Sequence, residues 1–323
     1  MKKPYCMLVF ILVCVFYQNS GIAQFHWVVG QPLLTAGKPG TFDDIAVKDP
    51  SIVYYQGNWH LFYTARGAEK YSLGYVSAEE LNELSTAKRH QLDQLRGRTS
   101  PYAAAPQVLF FEPQETWYLI FQTRDARYQP VYATSPDIAD PGSWSRPVPL
   151  TPKDEEAKWI DFWVICDTDS AYFFYTREHR DVYLQTTTLD RFPDGFGNPR
   201  KVFSGVHEAV HIYRAAGATK YHMIYELRID NVRSYGLATA PALTGPWAKR
   251  TATYATGEQL RFPDGVPRWT EMVSHGEAIR AGYDQTLLYD ATDPTWIFQG
   301  LRLEQFTGEY SKLPWRLGLL KRE

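Results

Sequence analysis

Pro50-Ser-Ile-Val-Tyr-Tyr-Gln-Gly-Asn-Trp-His-Leu-Phe-Tyr-Thr64 reads as two short strands around a tight turn. Both runs are rich in β-branched and aromatic residues, and Gln56-Gly57-Asn58 has the chemistry of a short hairpin connection. Four further stretches repeat this plan, beginning at Pro106, Trp163, Val210 and Gly276. The fifth, residues 276–290, fits least well. Further strand candidates, such as residues 131–134 and 182–187, follow most of the hairpins. Four short strands per unit, repeated five times, predicts an all-β protein, a five-bladed β-propeller filling residues 24–323 as one domain. A β-sandwich with coincidental spacing is the alternative. Residues 77–94 interrupt the pattern and read as a polar, helix-prone insertion, with Ser77 as cap and Glu80 three residues on. Residues 250–270 form a second long connection.

The 323 residues carry a formal net charge of -2. No basic excess is available to neutralise phosphates, so nucleic acid is not an expected partner. Lys2 and Lys3 precede an apolar run from Met7 to Tyr17, and Gly21-Ile22-Ala23 supplies small residues before Gln24. Residues 1–23 read as a secretory signal peptide, which predicts a secreted or periplasmic protein. The run is too short to span a bilayer comfortably. Cys6 and Cys14 fall inside it, so only Cys166 remains and no internal disulfide is expected. A monomer is expected.

Polar residues collect at the starts of the first strands. Lys48-Asp49 precedes the first unit, Pro106-Gln107 opens the second, Asp161 precedes the third, His207-Glu208 the fourth, and Ser274-His275-Gly276-Glu277 opens the fifth. In a propeller the first strand of each blade lines the central axis, so equivalent ends converge on one mouth. Asp49, Asp161 and Glu208 should meet there. Asp161 sits among Trp159, Ile160, Phe162 and Trp163, where a carboxylate is costly to bury unpaired. Clustered carboxylates suit glycoside hydrolysis, which needs one acid and one base, with a third charge able to raise the acid's pKa. Trp159, Phe162 and Trp163 are expected to wall the pocket and stack on a sugar.

The residues 48–53 (Lys-Asp-Pro-Ser-Ile-Val), 105–108 (Ala-Pro-Gln-Val), 159–167 (Trp-Ile-Asp-Phe-Trp-Val-Ile-Cys-Asp), 274–280 (Ser-His-Gly-Glu-Ala-Ile-Arg), 284–286 (Asp-Gln-Thr), 298–300 (Phe-Gln-Gly) and 310–320 resemble glycoside hydrolase family 62. The resemblance spans nearly the whole chain after residue 23. It implies an inverting α-L-arabinofuranosidase on a five-bladed propeller, acting on arabinoxylan or its oligosaccharides. It implies Asp49 as general base, Glu208 as general acid and Asp161 as the carboxylate that tunes and orients the acid. Lys48, Arg280 and Tyr310 would contact the arabinofuranose. Pro106, Gln107, Phe162 and Glu277 join the expected substrate-binding set. No cofactor is required, although the resemblance implies a structural calcium ion in the axial channel near His275. One departure is His207, where the family usually has Phe before the acid.

Two other classes of function fit parts of the pattern. One is a related propeller glycosidase, a xylosidase or arabinanase; the other is a carbohydrate-binding propeller without catalysis. A metal site built from His207, His211, His222 and His275 is disfavoured, because a strand offers no turn to close a tetrahedral site.

Overall fold

The computed structural model describes residues 26–125, 128–153 and 156–323. The expected signal peptide, residues 1–23, lies outside them. Five sheets of four or five strands form the five blades of a propeller. Blade I runs through Ala46–Tyr55, Asn58–Arg66, Tyr71–Ala78 and His90–Gln91. Blade II contains Ala104–Phe111, Thr116–Gln122, Val131–Ser135 and Val148–Pro149. Blade III contains Trp159–Cys166, Ser170–Arg177, Asp181–Thr188 and Arg200–Ser204. Blade IV contains Glu208–Ala215, Tyr221–Ile229, Val232–Ala240 and Ala248–Ala255. The predicted turn in blade I is present: Gln56 and Gly57 have φ of +47° and +83°. Two consecutive positive φ values match the twist of the flanking strands.

Blade V departs from the sequence expectation. Ser274–Ala278 does not pair with the run ending at Asp290 but with Thr295–Gly300, which pairs with Arg316–Arg322. Leu288–Tyr289 instead lies parallel to the inner strand of blade IV. Blade V is completed from the other end of the chain, where Trp27–Val29 pairs antiparallel with Arg316–Arg322. Trp27 is fully buried and its indole N–H donates to the Tyr254 carbonyl at 3.0 Å.

The insertion at 77–94 also differs. Ser77 stays in a strand, paired opposite His60, so its backbone is committed to the ladder and cannot cap a helix. Glu80 caps a short 3-10 helix, Leu81–Ser85, through reciprocal bonds with Glu83. His90–Gln91 then supplies the fourth strand of blade I.

Inner strands are packed on both faces, which explains their nearly unbroken apolar character. Every residue of Trp159–Cys166 is buried. Trp159 stacks on Tyr175 at 4.1 Å between ring centroids, and Trp163 stacks on His211 at 4.0 Å. Cys166 is buried and free. No helix among the described residues is long and apolar enough to cross a membrane.

Candidate active site

Each inner strand breaks register at the same end. The pairing shifts at Lys48/Ser51, Ala104/Gln107, Ile160/Trp163, Glu208/His211 and Ser274/Gly276. Such a bulge inserts an extra residue and re-aims side chains. In the first four blades the bulge holds a residue with left-handed φ: Asp49 at +44°, Ala105 at +50°, Asp161 at +55° and Ala209 at +50°. Non-glycine residues adopt this region at a cost of order 1–3 kcal/mol, and they cluster at functional sites. Asp49 and Asp161 occupy the bulge itself, while Glu208 immediately precedes it.

The freed backbone N–H of every bulge is taken up by a side chain of the preceding blade. Asp49 N donates to Gln299 Oε1 of blade V at 2.8 Å, and Ala105 N to Thr64 Oγ1 of blade I at 2.7 Å. Asp161 N donates to Gln122 Oε1 of blade II at 3.3 Å, and His275 N to Glu226 Oε2 of blade IV at 3.0 Å. In four blades the acceptor sits on the second strand. At the fourth bulge Ala209 N donates instead to Asp161 Oδ2 at 2.7 Å. The second strand of blade III offers Thr176 at the matching register, paired with Ile160, but its buried hydroxyl has no hydrogen bond to a described residue. Asp161 has taken over that task, and thereby fixes the backbone that carries Glu208.

A pocket of about 890 Å³ opens at this end of the axis. Lys48, Asp49, Asp161, Glu208, His275 and Tyr310 all line it. His275 Nδ1 lies 3.5 Å from Asp49 Oδ1 and 3.8 Å from Asp161 Oδ1. Lys48 Nζ lies 3.9 Å from Asp49 Oδ2 and 4.8 Å from the centre of the Tyr310 ring. Burial is the largest single influence and works against a charged Lys48, but the Asp49 carboxylate together with Tyr310, Tyr71 and Tyr102 outweighs it and holds the ammonium well above its usual pKa.

Five residues of the expected substrate set do not line the pocket. Pro106 and Gln107 lie further along the blade II strand, and the Gln107 side chain exchanges two 2.7 Å bonds with the Val164 backbone, joining blades II and III. Arg280 sits deeper along the axis. Its Nη2 donates to the Ile52 and Val108 carbonyls at 3.0 and 2.9 Å and lies 2.8 Å from Glu277, which ties blade V to blades I and II. Phe162 packs against Phe173, and Trp159 and Trp163 are core residues, because the bulge turns only Asp161 toward the axis and leaves its neighbours between blades. The aromatic wall is made instead by Tyr71, Tyr102 and Tyr310.

The charge balance at Glu208 is the reverse of the sequence expectation. Burial alone would raise its pKa, but the Arg233 guanidinium, with His179 and His207, holds the carboxyl well below the usual range. Arg233 Nη1 bonds both Glu208 Oε1 and Glu226 Oε1. Glu226 lies directly across the ladder from Glu208. Burial pushes Glu226 up to about 7, with Glu208 adding to the rise and Arg233 opposing it. Of this coupled pair, Glu226 is therefore the better proton holder. His207 is pushed down to about 4, chiefly by burial, with Arg233 and His179 reinforcing it.

Asp161 is pushed up to about 6, first by burial and then by Glu208 and Asp49, against the pull of His275 and the Ala209 N–H. A carboxyl with a raised folded pKa contributes stability that is present below its unfolded value near 3.8 and is lost as pH rises through about 6. Asp161→Asn keeps an acceptor for Ala209 N–H but never charges. It should be more stable than wild type at pH 8, by on the order of 2–3 kcal/mol, and so melt higher there, but melt no higher at pH 4. Thermal denaturation at the two pH values checks this; equal melting at pH 8 would show that the buried charge costs nothing.

The family model for glycosyl hydrolase family 62 matches residues 34–321. The chain belongs to this family. Its fold is similar to the catalytic domain of the family-62 α-L-arabinofuranosidase of Coprinopsis cinerea, with 32% identity, a TM-score of 0.84, and 92% of this chain and 97% of that chain covered. A family-62 hydrolase solved in complex with xylotriose is 30% identical, with a TM-score of 0.83 over 92% of this chain and 97% of that one. α-L-Arabinofuranosidase C of Cellvibrio japonicus is 31% identical over 93% of this chain. The chain spans about half the length of that curated relative, 47%.

Family 62 membership raises the question of calcium. The His275 imidazole presents Nδ1 to two carboxylates. Among the described residues, no group of three His, Cys, Asp or Glu donors in mutual reach includes His275. A hard cation asks for six to eight oxygens. One imidazole does not make that cage, so the side chains here do not fit a calcium ion held by protein ligands alone.

Sequence reading missed three residues of this family-62 site: Glu226, Arg233 and His179. The register offered a signal for the first two. Like charges opposed across a ladder are unfavourable, so a hairpin placing Glu208 against Glu226 demands a cation nearby. Arg233 is next to the turn of the following hairpin, opposite Arg228.

Proposed function

We propose that this protein is an inverting α-L-arabinofuranosidase that removes arabinofuranose side chains from arabinoxylan. The observation that carries the reading is the convergence of Asp49, Asp161 and Glu208, from three blades, on one pocket through one repeated bulge. In this reading Asp49 takes the proton of a water on one face of the sugar, and Glu208 protonates the departing xylose oxygen. In inverting enzymes those two carboxyls stand roughly 6.5–9.5 Å apart to admit the water. Lys48 supplies a donor to sugar hydroxyls, and Tyr71, Tyr102 and Tyr310 exclude water. The relative bound to xylotriose supports a xylan chain lying across the mouth.

Glu208 must gain a proton before it can donate one. A sugar seated in the pocket removes water from Glu208, which disfavours its charge and favours uptake of a proton before the bond breaks. Asp161 acts as a positioning residue through the Ala209 amide and as a negative neighbour. Residues 1–23 fit this reading as an export signal, since the polymer is extracellular; the protein is taken to act as a monomer.

Proton NMR during digestion of wheat arabinoxylan tests the proposal. Free β-arabinofuranose should appear first and convert to the α-anomer only by mutarotation. First appearance of the α-anomer would exclude inversion. Arabinose from linear arabinan, or xylose from xylobiose, with none from arabinoxylan would move the activity to a neighbouring propeller glycosidase.

A further inference from the structure

Two imidazoles and one carboxylate converge on the blade III–IV side of the pocket. His179 Nδ1 lies 3.3 Å from Glu208 Oε2, and His207 Nε2 lies 3.7 Å from the same oxygen. One donor atom from each of the three residues lies within 4.8 Å of the other two. The imidazole rings stack, with centroids 4.8 Å apart and planes 19° apart. His179 occupies a tight turn, where it and Glu178 both have positive φ, and His207 directly precedes the inner strand of blade IV. Backbone elements of two blades therefore present the donors.

The spacing matches a small tetrahedral cation. Zinc bonds of about 2.0–2.1 Å place neighbouring ligand atoms roughly 3.3 Å apart. Two of the three edges are already at 3.3 and 3.7 Å. The third, within 4.8 Å, would close by rotation of His179, whose side chain is 31% exposed and whose Nδ1 would give up its 3.3 Å bond to the His207 carbonyl oxygen. Two imidazoles and one carboxylate select zinc, nickel or copper over calcium and magnesium, and a fourth position faces the pocket. Nearby cations oppose binding: Arg233 holds the other Glu208 oxygen, and Lys158 Nζ lies 2.6 Å from His179 Nε2, the ring nitrogen that a metal would leave free. Glu226 offsets the former.

We propose that His179, His207 and Glu208 form a binding site for a zinc-type divalent cation, and that its occupancy switches hydrolysis off by taking the carboxyl that donates the proton. The second half rests on the arabinofuranosidase reading; the binding itself does not. Isothermal titration of zinc into the chelator-treated full chain should show one site that calcium does not fill. His207→Phe and His179→Ala should each lose it while keeping wild-type circular dichroism and melting. In parallel, saturating zinc should cut arabinose release from arabinoxylan by about two orders of magnitude, the scale of a lost general acid. Chelator should restore it, and each histidine variant should be insensitive relative to its own metal-free rate. Absence of zinc binding by the wild type, or unchanged binding in both variants, overturns the site. Histidine-dependent binding without inhibition overturns the switch. If binding depends on the histidines but no arabinose is released even without metal, the site stands and the proposed reaction falls.

Discussion

Asp49→Asn should abolish hydrolysis of arabinoxylan and of a nitrophenyl arabinofuranoside alike, with kcat falling by about 10²–10⁴-fold on both. Water must lose its proton whatever the leaving group, so a better leaving group does not rescue a missing base. The substitution is a clean one. The bond that fixes the residue runs from its backbone N–H to Gln299, not from its carboxylate, so the bulge should persist. What disappears is the negative charge facing Lys48 and His275. Kinetics on both substrates, with melting curves as control, decide the matter. A variant that retains aryl-arabinoside turnover would move the base elsewhere, with Asp161 the next candidate.

Glu208→Gln should divide the two substrates. Release from arabinoxylan should fall by about 10²–10⁴-fold, because a xylose alkoxide cannot leave without a proton. An activated aryl arabinoside, whose phenolate leaves unaided, should lose far less. The glutamine cannot carry the proton, but its amide oxygen can still accept from Arg233, so the Arg233–Glu226 pair should hold. Equal loss on both substrates would mean that Glu208 does not protonate the leaving group.

Much of the ring was legible because hairpins advertise themselves locally. Gln56-Gly57 and the aromatic runs on either side specify a turn and two strands within fifteen residues. The convergence of Asp49, Asp161 and Glu208 followed from repeat position alone. Blade V was misread because its partners are not local: Ser274–Ala278 skips the nearest apolar run, and the blade takes a strand from residues 27–29. Side-chain direction was the other loss. Arg280 and Gln107 carry the polar chemistry of ligand-binding groups, yet both satisfy backbone groups of neighbouring blades. Phe162 and its tryptophan neighbours look like a sugar platform, but a bulge at Asp161 sends them into the core. No composition rule reveals a left-handed residue at that place. His179 was invisible for a different reason: it sits in an outer turn of the preceding blade, and only the curvature of the ring brings it to Glu208.

The bond from each bulge to the blade before it has a consequence for how this protein can change over time. In an open solenoid each repeat touches only its neighbours, so repeats can be gained or lost with little penalty. Here the circle is shut by pairing residues 27–29 with residues 320–322, nearly the full length of the chain apart. Within that circle, the blade supporting one pocket carboxylate is itself supported by the next blade back. Removing or duplicating a blade would strand a bulge amide, shift every carboxylate after it and leave the circle open. Five is therefore a fixed number for this architecture, and diversification is confined to what the rim presents: the turn bearing His179, the hairpin bearing Arg228 and Asn231, and the segment bearing Tyr310.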